Sequence, residues 1–246
     1  MGSGKTDDMQ GHQQQPQYAP GRYSARPQLH DGVHKFMNGV YAWMAAGIAL
    51  TAAVSYGISL SPDALGLIWG TPLRWVVMFG PLAMAWFLPS RLPNMDRGMA
   101  LGAFAVFAGL MGAAISYVPI VYSGGSILGV FVGTVGMFAG MAAIGFVTKK
   151  DLTGMGQFLV MALLGAIIGS IVNMFLIQSA GMSLAISAIV AVVAAGLTAY
   201  HTQAIKQLYR MHGGGGNLAV LGALLLYVDF LNLFLSLLRL FGGGRD

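Results

Sequence analysis

The sequence predicts an all-α membrane protein with seven transmembrane helices, and three observations carry that prediction. Of 246 residues, 56% are hydrophobic and only 9% are charged, where soluble domains usually carry roughly 25% charged residues. The apolar residues fall into seven continuous runs, each near the roughly 20 residues a helix needs to cross a bilayer. Basic residues recur in alternate connections between those runs. A β-barrel is excluded, because its strands would alternate polar and apolar residues over about ten positions.

The chain opens with a polar, low-complexity tail, residues 1–32, which includes Gln13-Gln14-Gln15-Pro16. It buries too little apolar surface to order itself, so it is expected to be disordered ahead of a membrane domain, 33–246. No cleavable signal peptide is expected, and the first apolar helix serves as the insertion signal. Gly2-Ser3-Gly4-Lys5-Thr6 resembles the end of a phosphate-binding loop, and Met1-Gly2 with Thr6 fits a myristoylation pattern. Neither has its structural context, and both read as solvated tail. The seven runs are 33–60, 72–88, 99–118, 126–147, 156–177, 183–200 and 218–241. Asp229 and Asn232 interrupt the seventh. A re-entrant hairpin buried among the other six would satisfy its backbone as well as a full span does.

Charge sets the orientation. Lys5, Arg22 and Arg26 precede the first run, and Lys35 lies at its very start. Arg91 and Arg97 follow the second, Lys149 and Lys150 the fourth, and Lys206 and Arg210 the sixth. The connections at 61–71, 119–125 and 178–182 hold no Lys or Arg. The positive-inside rule then puts the N-terminus in the cytoplasm. Seven full spans put the C-terminus outside, where Arg239 and Arg245 sit against the rule; a re-entrant last segment removes the conflict. The net charge of +5 belongs to these loops, so it points to lipid headgroups and not to nucleic acid.

The chain has no cysteine, which excludes disulfides, thiolate metal sites and cysteine catalysis. Small residues at four-residue spacing, Gly98/Gly102, Gly136/Gly140 and Gly165/Gly169, are expected to pack internally rather than form a dimer interface. Pro81 and Pro119 are candidate helix breaks, and the sixteen methionines read as adaptable filler.

Catalysis is not expected. A buried nucleophile–base pair, a His-x-x-x-His helix and a Gly-x-Ser-x-Gly turn are all missing from the sequence. Asp229 is the only carboxylate inside an apolar run. Such a group costs roughly 2.5–3.5 kcal/mol on insertion scales and marks a functional site by default. His201 closes the sixth run and Asp229 enters the seventh from the same side, about three turns in and deeper. Consecutive helices on a short connection pack antiparallel, so the two can meet. Histidine titrates near pH 6.5 unless perturbed, and a His–Asp contact would be a proton-sensitive lock. The alternatives are a structural carboxylate bonded to Tyr, Asn or Arg, and an interfacial histidine without a role. Arg91 ends the second run and either reaches inward to the aspartate or only sets topology. Asn173, on the fifth run, is expected to hydrogen-bond between helices, and Asn232 is a further polar group in the seventh.

These residues resemble a known family. Gly222-Ala223-Leu224-Leu225-Leu226-Tyr227-Val228-Asp229-Phe230-Leu231-Asn232-Leu233-Phe234-Leu235, followed by Leu237-Leu238-Arg239-Leu240-Phe241-Gly242, resembles the terminal signature of the Bax inhibitor (transmembrane Bax-inhibitor-motif) family. Thr198-Ala199-Tyr200-His201-Thr202-Gln203-Ala204-Ile205-Lys206 resembles its sixth-helix signature. Lys149-Lys150-Asp151-Leu152-Thr153-Gly154-Met155-Gly156 and Val172-Asn173-Met174-Phe175-Leu176 match in order and spacing. The resemblance covers 32–246 and is closest to bacterial inner-membrane members.

It implies a seven-helix fold with the last helix central and surrounded by the other six, and a pH-sensitive calcium leak. In the family, aspartates on the sixth and seventh helices share protons across the pore, and an arginine at the end of the second helix helps close it. Asp229 matches the seventh-helix aspartate and Arg91 the arginine. The sixth-helix signature normally reads Tyr-Asp, and here it reads Tyr200-His201. A His–Asp pair offers at most one negative charge, and Ca²⁺ prefers several oxygen ligands. The expectation is a retained pH response with a weakened calcium site at Asp229. No cofactor is expected beyond calcium as a transported or bound ion. Members lacking the acidic pair are linked to binding and modulating a membrane-embedded AAA protease. A non-conducting interaction protein is therefore the second expectation.

Overall fold

A chain with so little polar surface must satisfy its backbone internally, and helices do this segment by segment. The computed structural model of the chain describes residues 25–214 and 216–244. Most of the expected tail, residues 1–24, and Arg245 lie outside the described residues. Seven described helices are long and apolar enough to cross a membrane. They are α1 (Ala25–Ser59), α3 (Leu73–Arg91), α4 (Arg97–Ala114), α6 (Gly124–Val147), α7 (Thr153–Val172), α8 (Ala180–His212) and α9 (Leu218–Phe241). Two short helices, α2 (Pro62–Gly70) and α5 (Val118–Val121), lie in connections.

Several boundaries differ from the sequence reading. α1 begins at Ala25, inside the stretch expected as tail. The 61–71 connection is not plain loop: Ser61 caps α2 by accepting a hydrogen bond from the Ala64 N–H at 3.3 Å, with Pro62 at the first helical position. That is the usual chemistry of a helix start. Pro81 sits inside an unbroken α3. The break in the third span falls at residues 115–117, just before Pro119. α8 continues twelve residues past the expected end of the sixth run, to Gly213, whose positive φ of 69° closes the helix. α9 is one continuous helix of 24 residues, not a hairpin.

α9 packs against α1, α3, α4, α6 and α8, while α7 packs on α8. Burial follows that order: 61% of the apolar window of α9 is buried, against 6% for the α7 span. Each face of α9 has its own partner. Tyr227 meets Phe104 and Phe107 of α4 edge-on, with ring centroids 5.7 and 5.6 Å apart. Phe230 meets Phe131 and Phe138 of α6, both at 5.6 Å. Such pairs add roughly 0.5–1.5 kcal/mol beyond their burial. Thr51 of α1 donates its one proton to the Ala108 carbonyl (2.9 Å), so the buried Tyr227 hydroxyl donates to Thr51 Oγ1 (2.5 Å).

Asn217, just before α9, donates to the Leu92 and Met95 carbonyls at 3.2 and 2.5 Å and ties the α8–α9 turn to the α3–α4 connection. These connections and the loop 148–152 form the basic end of the bundle. At the opposite end Ser123 N–H donates to the Gly243 carbonyl (3.2 Å). There Arg239 donates to Ser187 Oγ at 3.2 Å.

The glycines that permit close helix contact are not the expected pairs. Gly98, Gly102, Gly136, Gly140 and Gly165 face open space, and Gly169 would meet only the tip of Ile186 at 3.7 Å. The closest approaches to a neighbouring helix's backbone are at Gly112 against α1 and Gly145 against α8, and Gly156 lies against the Tyr200 ring of α8. Spacing alone does not say which face of a helix is inward. A Cβ on Gly145 would lie 2.1 Å from the Ala199 carbonyl oxygen, a backbone atom that cannot swing aside. Gly145→Ala should therefore separate α6 from α8 and cost about 1–3 kcal/mol. Gly136→Ala should be neutral. Thermal unfolding in detergent checks both, and equal midpoints for the two variants would contradict the assignment of faces.

Candidate functional site

Gly213, Gly214 and Gly216, all at positive φ, turn the chain tightly between α8 and α9. The two helices therefore run antiparallel, and residues equidistant from the turn face each other. His201 and Asp229 each stand eleven residues from their helix's end at this turn. They meet at one level, and Asp229 is not the deeper of the two.

His201 Nδ1 lies 2.7 Å from Asp229 Oδ2, and this is the single ion pair among the described residues. The side chains are 15% and 2% exposed. A carboxylate only accepts, so with Asp229 ionised it is His201 Nδ1–H that donates. The Tyr200 ring lies 5.2 Å from the imidazole, and the buried Thr202 hydroxyl faces the Tyr41 phenol of α1. His201 does not close its helix: about three further turns follow.

Those turns carry two groups that sequence reasoning quoted within a signature but gave no role. Gln203 is buried and clamps the 148–152 loop. Its amide donates to the Thr148 and Lys150 carbonyls at 3.2 and 2.8 Å, and its oxygen accepts from Leu152 N–H at 2.9 Å. Lys206 is buried too; its ammonium donates to the Phe146 carbonyl and sits 5.0 Å above the Phe146 ring. A cation there satisfies an open carbonyl at the negative end of α6. The available signal was a glutamine and a lysine three apart, next to the apolar Ala204 and Ile205. Next to them, Thr153 N–H and hydroxyl bond Asp151 at 2.9 and 2.6 Å, and these bonds hold the Asp151 carboxyl below its ordinary range. This Asp151–Thr153 turn before α7 is favoured at neutral pH and is lost as pH falls through the lowered value.

The other predicted residues lie elsewhere. Arg91 is exposed in the last turn of α3 and pairs with no carboxylate among the described residues. Asn173 bridges helices as expected, but at the opposite end of the bundle. Its amide donates to Ser183 Oγ (2.8 Å) and the Ser179 carbonyl (3.1 Å), and its oxygen accepts from Ser179 N–H (3.0 Å). Asn232 is half-buried one turn beyond Asp229. Among the described residues, no three His, Asp or Glu side chains converge on a metal position. Calcium at Asp229 would need its other ligands from backbone carbonyls, hydroxyls or water.

Comparison with known proteins gives a family match over the whole membrane domain. The model described as "Inhibitor of apoptosis-promoting Bax1" matches residues 33–246. The Escherichia coli inner membrane protein YbhL is 36% identical over 220 residues, covering 87% of this chain and 94% of its own length. An uncharacterised Rickettsia prowazekii protein is 39% identical over 220 residues, covering 88% and 92%. One from Caulobacter vibrioides is 38% identical over 228 residues, covering 87% and 91%.

A buried pair broken on one side leaves an uncompensated charge, at a cost of about 3–5 kcal/mol. His201→Leu should therefore lower the unfolding midpoint strongly in detergent at neutral pH. Adding Asp229→Leu should restore most of it, because no charge is then left buried. A double variant as unstable as the single one would show that packing, not pairing, holds this position.

Proposed function

The chain belongs to the Bax inhibitor family, and on that premise we propose that it is a proton-gated cation leak of the bacterial inner membrane. Its N-terminus lies in the cytoplasm and its lock is the His201–Asp229 pair. The observation that supports this reading is the one ion pair among the described residues, set inside the bundle and at one level between α8 and α9. Adding a proton to Asp229, or removing one from His201, leaves the partner charge alone in a dry setting. The helices then gain by separating and admitting water. α9 packs against five other spans, so its movement away from α8 reaches the whole bundle. Calcium is the cation that the family resemblance implies. With one carboxylate in place of two, the site holds it weakly and passes it without a resident ion. Arg91 is assigned to topology and not to the lock, since it lies exposed outside the pair.

One observation favours a second reading, a non-conducting protein that binds and modulates a membrane-embedded AAA protease. The outward glycines Gly136 and Gly140 of α6 and Gly165 of α7 leave room for another membrane helix to approach closely.

Calcium uptake into proteoliposomes between about pH 5 and pH 8 separates the two readings. The leak reading expects flux to change about tenfold across that range, the effect of about 1.4 kcal/mol on the barrier. In Asp229→Asn the profile should be flat, and His201→Asp should raise calcium flux. Absence of flux in the wild type and in His201→Asp would overturn the leak and assign the chain to the protein-binding reading.

A further inference from the structure

Two apolar cavities lie between α1 and α6, of about 740 and 440 Å³. They share Ile48, Ala52, Phe131 and Phe230, so they form one trough along the bundle. The short side chains of Ala45 and Ala49 on α1 and Ala139 and Ala143 on α6 form its exposed walls, and Phe230 of α9 forms its floor. The larger cavity runs from His34 to Ala52 on α1, roughly 27 Å at 1.5 Å per residue. That length carries it from the basic end past the middle of a bilayer about 30 Å thick.

The two ends of the trough differ in charge. At the basic end it is lined by His34 and Asn38 and by Phe146 and Val147. Lys35 follows His34 on α1, and Lys149 and Lys150 follow Val147; all three are exposed. Lys206 adds a fourth cation over the Phe146 ring, which itself lies 5.1 Å from the His34 ring. The acidic groups nearby are Asp31, one turn before Lys35, and Asp151, whose carboxylate is turned to Thr153. The opposite end is lined by Ser55, Tyr56 and Gly124 and by no charged side chain.

We propose that this trough is a binding site for one anionic phospholipid. Its headgroup phosphate lies among Lys35, Lys149 and Lys150, and an acyl chain lies along the alanine walls to Phe230. An apolar wall of alanines offers nothing to a polar ligand. A phosphate at the lysine end gains from each basic side chain. The lipid would cover the Phe230 side of α9, between α1 and α6.

The test is native mass spectrometry of the full-length chain in detergent, with phosphatidylglycerol or phosphatidylcholine of identical acyl chains added. One phosphatidylglycerol should be retained in preference to phosphatidylcholine by about a hundredfold, as a cluster of three lysines implies. Lys35→Gln/Lys149→Gln/Lys150→Gln should abolish that preference while leaving the trough open. Ala49→Phe/Ala143→Phe should lose both lipids, and Val132→Phe, an exposed site outside the trough, should lose neither. Equal retention of the two lipids by the wild type would overturn the proposal. So would a preference surviving in the lysine variant, which keeps the proposal testable even where the phenylalanine variant fails to fold. A wild-type dimer that the phenylalanine variant converts to monomer would assign the trough to a second copy of the chain instead.

Discussion

The structure depends on a charge placed where water is scarce. Asp229 sits on the helix with the most extensive burial in the bundle, and an ionised carboxylate there is tolerated only with a partner. His201 supplies it from the neighbouring helix at 2.7 Å. Everything around the pair then has to hold two helices in register. The glycine turn fixes their antiparallel approach, and Asn217 anchors the start of α9 to the α3–α4 connection. Gln203 and Lys206 fasten the far side of α8 to the end of α6 and the loop that follows. The polar fastenings at this end converge on α8 and α9, while the contacts elsewhere on α9 are aromatic or hydroxyl-mediated.

That division separates chemistry from packing within one helix. The Asp229 side of α9 is directional, since a shift of an ångström breaks a charge-assisted hydrogen bond. The Phe230 side faces the trough between α1 and α6 and tolerates sliding, because apolar contacts are individually weak and not directional. The directional contacts of α9 thus run through Asn217, Tyr227 and Asp229, and its Phe230 side is the tolerant one.

Much of this architecture was legible in the sequence, because seven apolar runs leave few alternatives to seven helices. The misreadings share a cause: hydropathy marks where the bilayer stops and not where the helix stops. Thr202 to His212 are too polar to count as span, yet they continue α8, and so His201 was placed at an end when it lies well inside. The 61–71 stretch reads as a connection between spans, yet Ser61-Pro62-Asp63 is a helix start. The glycine pairs were assigned inward on spacing alone, and α6 turns Gly136 and Gly140 outward. The pairing of Asp229 with His201 was foreseeable, since both flank one short turn. The roles of Gln203 and Lys206 were not, because their partners lie more than fifty residues away in the chain. Arg91 illustrates the converse, a resemblance to a functional position whose side chain points to the outside of the bundle.

The equal spacing of His201 and Asp229 from their turn also bears on how the chain enters the membrane during synthesis. An aspartate inserted on a lone helix carries the full transfer cost of its charge. Here the imidazole lies next to it once α8 and α9 close as a hairpin, and those two helices alone supply both groups. Paired in this way, the two last helices carry a lower transfer cost together than α9 would carry alone.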